Sequence, residues 1–159
     1  MKVFDGLILI LIIPLFAFSI TYELLSNDPR VAFLEMVNEY RIVKGLQPFE
    51  CLFNEVPQAF TDFQANIGIF LGHIGFSKRV ERIKKLIEEN YGMKVSKISF
   101  AENVAFLKSD DIDLKMAFES FLKSKRHREN ILSSRYRWTA IGITKKSDRL
   151  YICQIFWNY

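Results

Sequence analysis

The sequence predicts an α/β fold, a three-layer α-β-α sandwich whose central, mainly antiparallel sheet lies between helices. One observation is a C-terminal hairpin, with strands at Trp138 to Thr144 and Arg149 to Trp157 joined by a polar turn. The other is that both faces of the second strand are apolar apart from Gln154, as in a strand covered on both sides. The helical segments that precede the hairpin can supply the two outer layers.

The composition is that of one globular domain with a short appendage. The chain has 159 residues, of which 50% are hydrophobic and 25% are charged, so one core of ordinary size is expected. The net charge of +4 comes from Lys and Arg residues scattered among acids. A mixed, solvated surface explains this pattern, and no nucleic-acid partner is expected.

Residues 1–25 are predicted to be a signal peptide or a membrane anchor. Gly6 to Ile20 form a run of fifteen residues without a charge, and Lys2 precedes it. A spanning helix needs about 20 apolar residues and a signal-peptide core about 7–15, so the length favours a signal peptide. An uncleaved tract would associate the protein with the membrane. In both cases residues 26–159 are expected to be extracellular or on the outer face of the cytoplasmic membrane.

The first helix is predicted to begin at Pro29, with Asp28 as its N-cap and Gly45 closing it. The second helix is predicted to start near Asn54, with Pro57 in its first turn. Its apolar residues are assigned to one inward face, made of Ala59, Phe60, Phe63, Ile67 and Phe70.

The third helix is predicted to begin at Ser77 and to end at Gly92, with its charged residues on the solvent face. A fourth helix is expected after the acidic residues Asp110, Asp111 and Asp113, because acids complement the positive end of a helix dipole. Ser124 is a plausible cap for a short helix that follows.

Among the acidic residues, Glu102 is the strongest candidate for a functional role rather than a purely structural one. Its neighbours in the chain are apolar, and a carboxylate is costly to bury without a partner. The side chain is therefore expected to face a cleft or a partner group. Asn103 is instead expected to be structural, with its side chain bonded to the local backbone.

Three stretches in a fixed order carry a resemblance to a known family. They are A-E-N-V-A at 101–105, F-L-K-S-K-R-H-R-E-N-I-L at 121–132 and Y-I-C-Q-I-F-W-N at 151–158. The chain resembles the microbial, SCP-like branch of the CAP superfamily of cysteine-rich secretory, antigen 5 and plant pathogenesis-related proteins. That branch shows G-E-N-I/V-A, then W-x-x-S-x-x-H-R-x-N-I-L, then an aromatic-rich hairpin. Residues 37–49 add a weaker match to its first helix and loop.

The resemblance implies the same three-layer sandwich and a shallow cleft in which Glu102 faces His73 and His127. Two imidazoles and one carboxylate are the minimum protein set for zinc, or another divalent metal, with an open coordination position. Some relatives carry a second acid where this chain has Ser124, and this departure weakens both the metal site and any two-carboxylate mechanism.

The protonation state of His127 bears on the same site. Arg126 and Arg128 flank this residue in the sequence and are expected to repel its protonated form. The neutral imidazole that results is the form that binds metals.

The resemblance implies a binding or interaction module outside the cytoplasm, for a lipid, a sterol-like ligand or an envelope component. A metal-dependent hydrolase with Glu102 as general base is one alternative, and a structural part of the cell envelope is another. The chain shows no other nucleophile motif and no phosphate loop, so an enzymatic role would rest wholly on the cleft. A non-enzymatic role is favoured.

Cys51 and Cys153 are the two cysteines of the chain. In an exported protein they can form one disulfide, which would close a loop of about 100 residues and add roughly 4 kcal/mol of stability in the entropic model. The position of Cys153 in a buried strand suits a free thiol equally well.

Overall fold

The computed structural model describes residues 28–95, 98–111 and 113–158, so the predicted signal peptide or anchor at residues 1–25 lies outside the described residues. The helices are α1 (Pro29–Val43), α2 (Glu55–Ile67), α3 (Phe76–Tyr91), α4 (Leu114–Lys123) and α5 (Lys125–Ile131). The strands are β1 (Glu50–Cys51), β2 (Ser99–Lys108), β3 (Trp138–Lys146) and β4 (Arg149–Asn158). Within the described ranges, none of the helices has the length and apolar character needed to cross a membrane.

The four strands form one sheet in the order β1-β3-β4-β2. Strand β4 pairs antiparallel with β2 on one side and with β3 on the other, and Cys153 lies opposite both Val104 and Gly142. Strand β1 adds a short parallel pairing, in which Cys51 lies opposite Thr139. The predicted hairpin and the mainly antiparallel sheet are confirmed.

Two separate apolar cores lie on the two faces of the sheet. On one face α1, α4 and α5 pack against residues such as Ile152 and Phe156 of β4. On the other face α2 and α3 pack against Cys153, Ile155 and Trp157 of the same strand. Because side chains alternate along a strand, β4 supplies both cores and is the middle of the middle layer. The three-layer sandwich is confirmed.

Helix capping follows the sequence closely. Asp28 accepts a hydrogen bond from the backbone N–H of Arg30, and Asp113 accepts one from Met116. Ser124 accepts one from the backbone N–H of His127 at the start of α5. These side chains satisfy backbone donors that have no partner inside the helix.

Helix α2 buries only part of the predicted face: Phe60 packs against the core, but the prediction is wrong for Ala59, Phe63 and Ile67, which are exposed. Phe63 is 53% exposed and Ile67 42% exposed, and Phe70, 41% exposed, lies beyond the end of the helix. The buried residues are instead Val56, Pro57, Thr61, Gln64 and Ala65.

The reason for this orientation is the open edge of β3. Beyond the short strand β1, Asn54 Oδ1 accepts from the backbone N–H of Ile141 at 2.7 Å. Gln58 Oε1 accepts from the N–H of Ile143 at 3.1 Å, and Gln58 Nε2 donates to the carbonyl of the same residue. These side chains replace a missing strand, because backbone polar groups left without partners are costly. The requirement turns the aromatic side of α2 outward.

Candidate functional site

A buried ion pair between Glu102 and Arg79 forms the centre of the candidate site. Arg79 Nε donates to Glu102 Oε1 at 2.8 Å, and Nη2 lies 2.6 Å from the same oxygen. The Glu102 side chain is 1% exposed and the Arg79 side chain 8% exposed. The guanidinium carbon of Arg79 lies 3.7 Å from the ring centroid of Phe60. The expectation that Glu102 faces a partner is confirmed, and the partner is a cation.

Arg79 was not predicted as a site residue, because the charges of α3 were assigned to the solvent face. The helix begins at Phe76, with Gly75 rather than Ser77 as its N-cap, and buries Arg79, Ile83, Leu86 and Ile87. This spacing is that of one helical face, so Arg79 lies in line with three apolar residues. The same spacing marks Arg79 as an inward-facing cation, but it does not identify the acid that Arg79 contacts.

His73 joins the pair from the loop between α2 and α3. Its Nδ1 lies 2.9 Å from Glu102 Oε2, and its side chain is 60% exposed. Positive φ angles of 58° at Gly72 and 78° at Gly75 allow the chain to reverse around it. Because a carboxylate oxygen accepts hydrogen bonds, His73 Nδ1 is the donor in this contact.

His127 is held on the other side of β2. Asn103 Nδ2 donates to the carbonyl of His127 at 3.0 Å, and Asn130 Nδ2 donates to Asn103 Oδ1 at 2.8 Å. Consecutive residues of a strand face opposite sides, so Asn103 anchors α5 across the sheet from the carboxylate of Glu102. Asn103 is structural, as expected, although it bonds a distant helix rather than the local backbone.

The pKa of His127 is lowered, first by burial and then by the charge of His73. The ring also packs edge-on against Phe121, with centroids 4.9 Å apart. The neutral form expected at pH 7 is therefore favoured. Its causes are burial and His73 rather than the flanking arginines.

The arrangement does not fit the zinc or other divalent metal predicted at His73, Glu102 and His127. Among the described residues, no three His, Cys, Asp or Glu side chains are grouped to hold a metal ion. The Arg79 guanidinium occupies Glu102 Oε1, and a cation bound to this carboxylate would lie close to that positive charge. The structure brings His73 and Glu102 together but does not add His127 as a third ligand.

Glu102 is also poorly placed for the predicted role of general base. Both of its oxygens are engaged, and the side chain is closed to solvent. A general base must come within hydrogen-bond reach of the proton that it removes. His73 is the exposed side chain of this group, and its contact with Glu102 holds the ring through Nδ1.

The candidate disulfide between Cys51 and Cys153 is not formed, and both thiols are free. Cys51 packs against the core on the α1 side of the sheet, whereas Cys153 lies in the core on the α2 side. Their thiols lie near different acceptors, Asn54 Oδ1 at 3.0 Å and Glu102 Oε1 at 3.4 Å. Two side chains on opposite faces of a sheet cannot be bridged without moving the backbone.

Burial makes both thiols poor nucleophiles. It raises the pKa of Cys51 to about 11. It also raises the pKa of Cys153 well above its ordinary value, and the neighbouring charge of Glu102 adds to this effect. Thiolate chemistry at neutral pH is not expected from either residue.

A groove of 510 Å³ runs between α2 and α3, next to the Arg79 side chain. Its apolar lining comes from Val56, Ala59, Phe60, Phe63, Leu71 and Ile74. Two exposed cations, Lys78 and Arg82, also line it, and the ion pairs formed among the described residues include neither of them. Glu55 is the acid of the lining. The outward-turned aromatic face of α2 forms one wall of this groove.

The chain is similar in structure to three bacterial proteins. A cysteine-rich secretory protein from Staphylococcus aureus superposes with a TM-score of 0.61 at 19% identity, over 83% of this chain and 38% of that one. An outer surface protein from Borrelia burgdorferi gives 0.65 at 12% identity, over 84% and 94%. An extracellular protein with an SCP domain from Bacillus anthracis gives 0.64 at 18% identity, over 84% and 41%.

The chain thus spans about two fifths of the length of the Staphylococcus and Bacillus proteins. No protein-family model and no curated protein sequence matches it. The structural likeness extends over most of the chain. The chain therefore has the SCP-like fold of the CAP superfamily.

Proposed function

We propose that the protein is an extracytoplasmic binding module whose ligand is an anionic amphiphile of the lipid class, held in the groove between α2 and α3. The observation that carries this proposal is an apolar groove beside two cations, Lys78 and Arg82, that form no ion pair within the described part of the chain. Ligand sites in proteins are typically concave, about 300–1,000 Å³ in volume and mostly apolar, with a few polar groups that orient the ligand.

The two parts of such a ligand match the two parts of the groove. An alkyl tail against Phe60, Phe63 and Leu71 would remove apolar surface from water, at roughly 25 cal/mol per Å². An acidic headgroup at Lys78 and Arg82 would gain charge-assisted hydrogen bonds. Neither part requires the Glu102 carboxylate, which is already engaged by Arg79.

The proposed location outside the cytoplasm rests on the N-terminal sequence and on the kind of protein that shares the fold. Residues 1–25 have the pattern of a signal peptide or anchor. The Staphylococcus protein is described as secretory and the Bacillus protein as extracellular. A hydrolase gains no support from the geometry, because Glu102 is closed to solvent and the three predicted metal ligands are not grouped.

The test is a fluorescence titration of residues 26–159 with a single-chain fatty-acid probe. Every described helix and strand, and both cores, lie within this range. We expect Ala59→Trp, which fills the groove, to weaken binding about tenfold or more, equivalent to about 1.4 kcal/mol. Asn66→Trp is the matched control, since Asn66 is exposed on α2 but does not line the groove.

A parent protein that folds but does not bind the probe would refute the proposal. Equal binding by the Ala59→Trp and Asn66→Trp variants would place the ligand elsewhere. If no amphiphile binds to the parent or to either variant, a structural role in the envelope becomes the better explanation.

A further inference from the structure

The connection between α2 and α3 exposes an unusual amount of apolar side chain. Ile69 is 56% exposed and Ile74 67% exposed, beside the exposed residues of α2 described above. We call this surface the apolar rim, and it consists of Phe63, Ile67, Ile69, Phe70 and Ile74. Soluble surfaces show single apolar residues commonly, but a cluster of five marks an interaction site.

The apolar rim is continuous with the groove and with the sheet. Phe63 and Ile74 are lining residues of the groove itself. Phe70 stacks on Phe106 of β2, with ring centroids 5.8 Å apart, and Phe106 is itself 37% exposed. The rim therefore surrounds part of the groove's opening and extends to the edge of the sheet.

The backbone that carries the rim is fixed by buried partners. Gln64 is fully buried, and its Oε1 accepts from the N–H of Leu71 at 2.8 Å. Its backbone carbonyl accepts from the N–H of Ile69 at 3.2 Å, and Arg149 donates to the carbonyl of Gly68 at 3.0 Å. These bonds hold the apolar side chains outward, so the rim is preorganised and costs less to order on binding.

The positive charges next to the apolar rim indicate that its partner is anionic. Lys78 and Arg82 are exposed on the first two turns of α3 and pair with no acid among the described residues. Farther along α3, Lys84 and Lys85 are each paired with a glutamate. Apolar side chains next to unpaired cations match the interface of a bilayer that contains anionic lipids.

We propose that the apolar rim, together with Lys78 and Arg82, docks on the surface of an anionic lipid bilayer. Docking in this orientation places the opening of the α2–α3 groove against the headgroup layer. The passage of an amphiphile between the bilayer and the groove is the part of this inference that rests on the proposed function. The docking itself does not require an occupied groove.

The first test is flotation of residues 26–159 with vesicles of phosphatidylcholine alone or with phosphatidylglycerol. We expect binding to the anionic vesicles and a loss of about tenfold or more in Ile69→Ser/Phe70→Ser, because two side chains that enter the interface are removed. The matched control is Ile42→Ser/Val43→Ser. Those residues are 59% and 79% exposed but lie at the end of α1, so their substitution should leave vesicle binding unchanged.

The second test isolates the charge. Lys78→Gln/Arg82→Gln should reduce binding to anionic vesicles about tenfold or more at low salt, since each basic residue near such a surface is attracted to the anionic headgroups. Lys84→Gln/Lys85→Gln removes the same formal charge from paired positions on the same helix and should have a smaller effect. Raising the salt concentration should reduce the difference between the two variants.

The outcomes separate docking from ligand binding. If the parent does not bind vesicles, or if the rim variant binds as well as the control, the docking inference is overturned, even where the fatty-acid probe still binds. If the rim instead mediates self-association, sedimentation will show an oligomer that the rim substitutions dissociate, and the inference is again overturned. If vesicles bind through the rim but the probe does not enter the groove, docking stands and the proposed function fails.

Discussion

At the scale of single residues, the ion pair between Arg79 and Glu102 determines what the candidate site can do. It holds a carboxylate inside the protein and engages one of its oxygens with a guanidinium. The need for a partner could be predicted from the apolar neighbours of Glu102. The identity of the partner could not, because Arg79 comes 23 residues earlier and only the packing of α3 on the sheet brings it into contact.

Arg79→Met tests the pair directly. Removing one partner leaves a buried charge uncompensated, so we expect a loss of about 3–5 kcal/mol in the free energy of unfolding. Urea denaturation measures this quantity. The double variant Arg79→Met/Glu102→Gln should lose less than Arg79→Met alone, because no buried charge remains. A double variant less stable than the single one would contradict the account.

His127 gives the second residue-scale prediction, a dependence on pH. Because its pKa is lowered in the folded protein, the unfolded chain binds the proton more readily, so stability is lost as pH falls below about 6.5. We expect the unfolding free energy of His127→Gln to fall less than that of the parent between pH 7.5 and 5.5. His73→Gln is the control for the other histidine. Equal losses in the parent and His127→Gln would refute the prediction.

At the scale of elements, α2 shows where periodicity fails. Its start and its proline were predicted correctly, but its buried face was not. The edge of β3 needs hydrogen-bond partners, which Asn54 and Gln58 provide. The spacing of apolar residues contains no information about this need. The same contact creates the groove, because it turns Phe63 away from the core.

The close approach of α2 to β3 can be tested at Gly142. A Cβ added there would lie 2.2 Å from the carbonyl carbon of Pro57, so helix and strand would have to separate. We expect Gly142→Ala to cost about 1–3 kcal/mol in urea denaturation, as overpacked cores do, and to disturb the groove wall. Gly45→Ala is a control with open space around it, in which only the positive φ of 73° is strained. A Gly142→Ala protein as stable as the parent would show that α2 is not packed this closely.

At the scale of the whole molecule, the three-layer architecture was predictable from β4 alone, since a strand that is apolar on both faces must lie in a middle layer. The grouping of His73 with Glu102 followed from the family resemblance. The contact between this carboxylate and a guanidinium could not be predicted, because the charges of α3 were assigned to solvent. The groove was equally hidden, since it depends on the rotation of α2 about its axis.

The prediction at this scale is that the protein does not bind zinc at micromolar concentrations. We expect calorimetric titration of residues 26–159 to show no binding at micromolar concentrations, a threshold of about −8 kcal/mol. The control is Arg79→Gln, which frees Glu102 and should not weaken any metal site. Micromolar binding in the parent that His73→Ala abolishes would contradict our assignment of the site.

The most direct test of ligand binding in the α2–α3 groove is to map the site of an anionic amphiphile on the protein by NMR. Isotope-labelled residues 26–159 would be titrated with a medium-chain fatty acid below its micellar concentration, and backbone amide shifts would be followed. We expect the largest changes along the α2–α3 groove, at Val56, Leu71, Ile74 and Lys78. Saturable changes centred instead on the cavity lined by Arg41 and Tyr136, or no saturable changes at all, would contradict the proposed function.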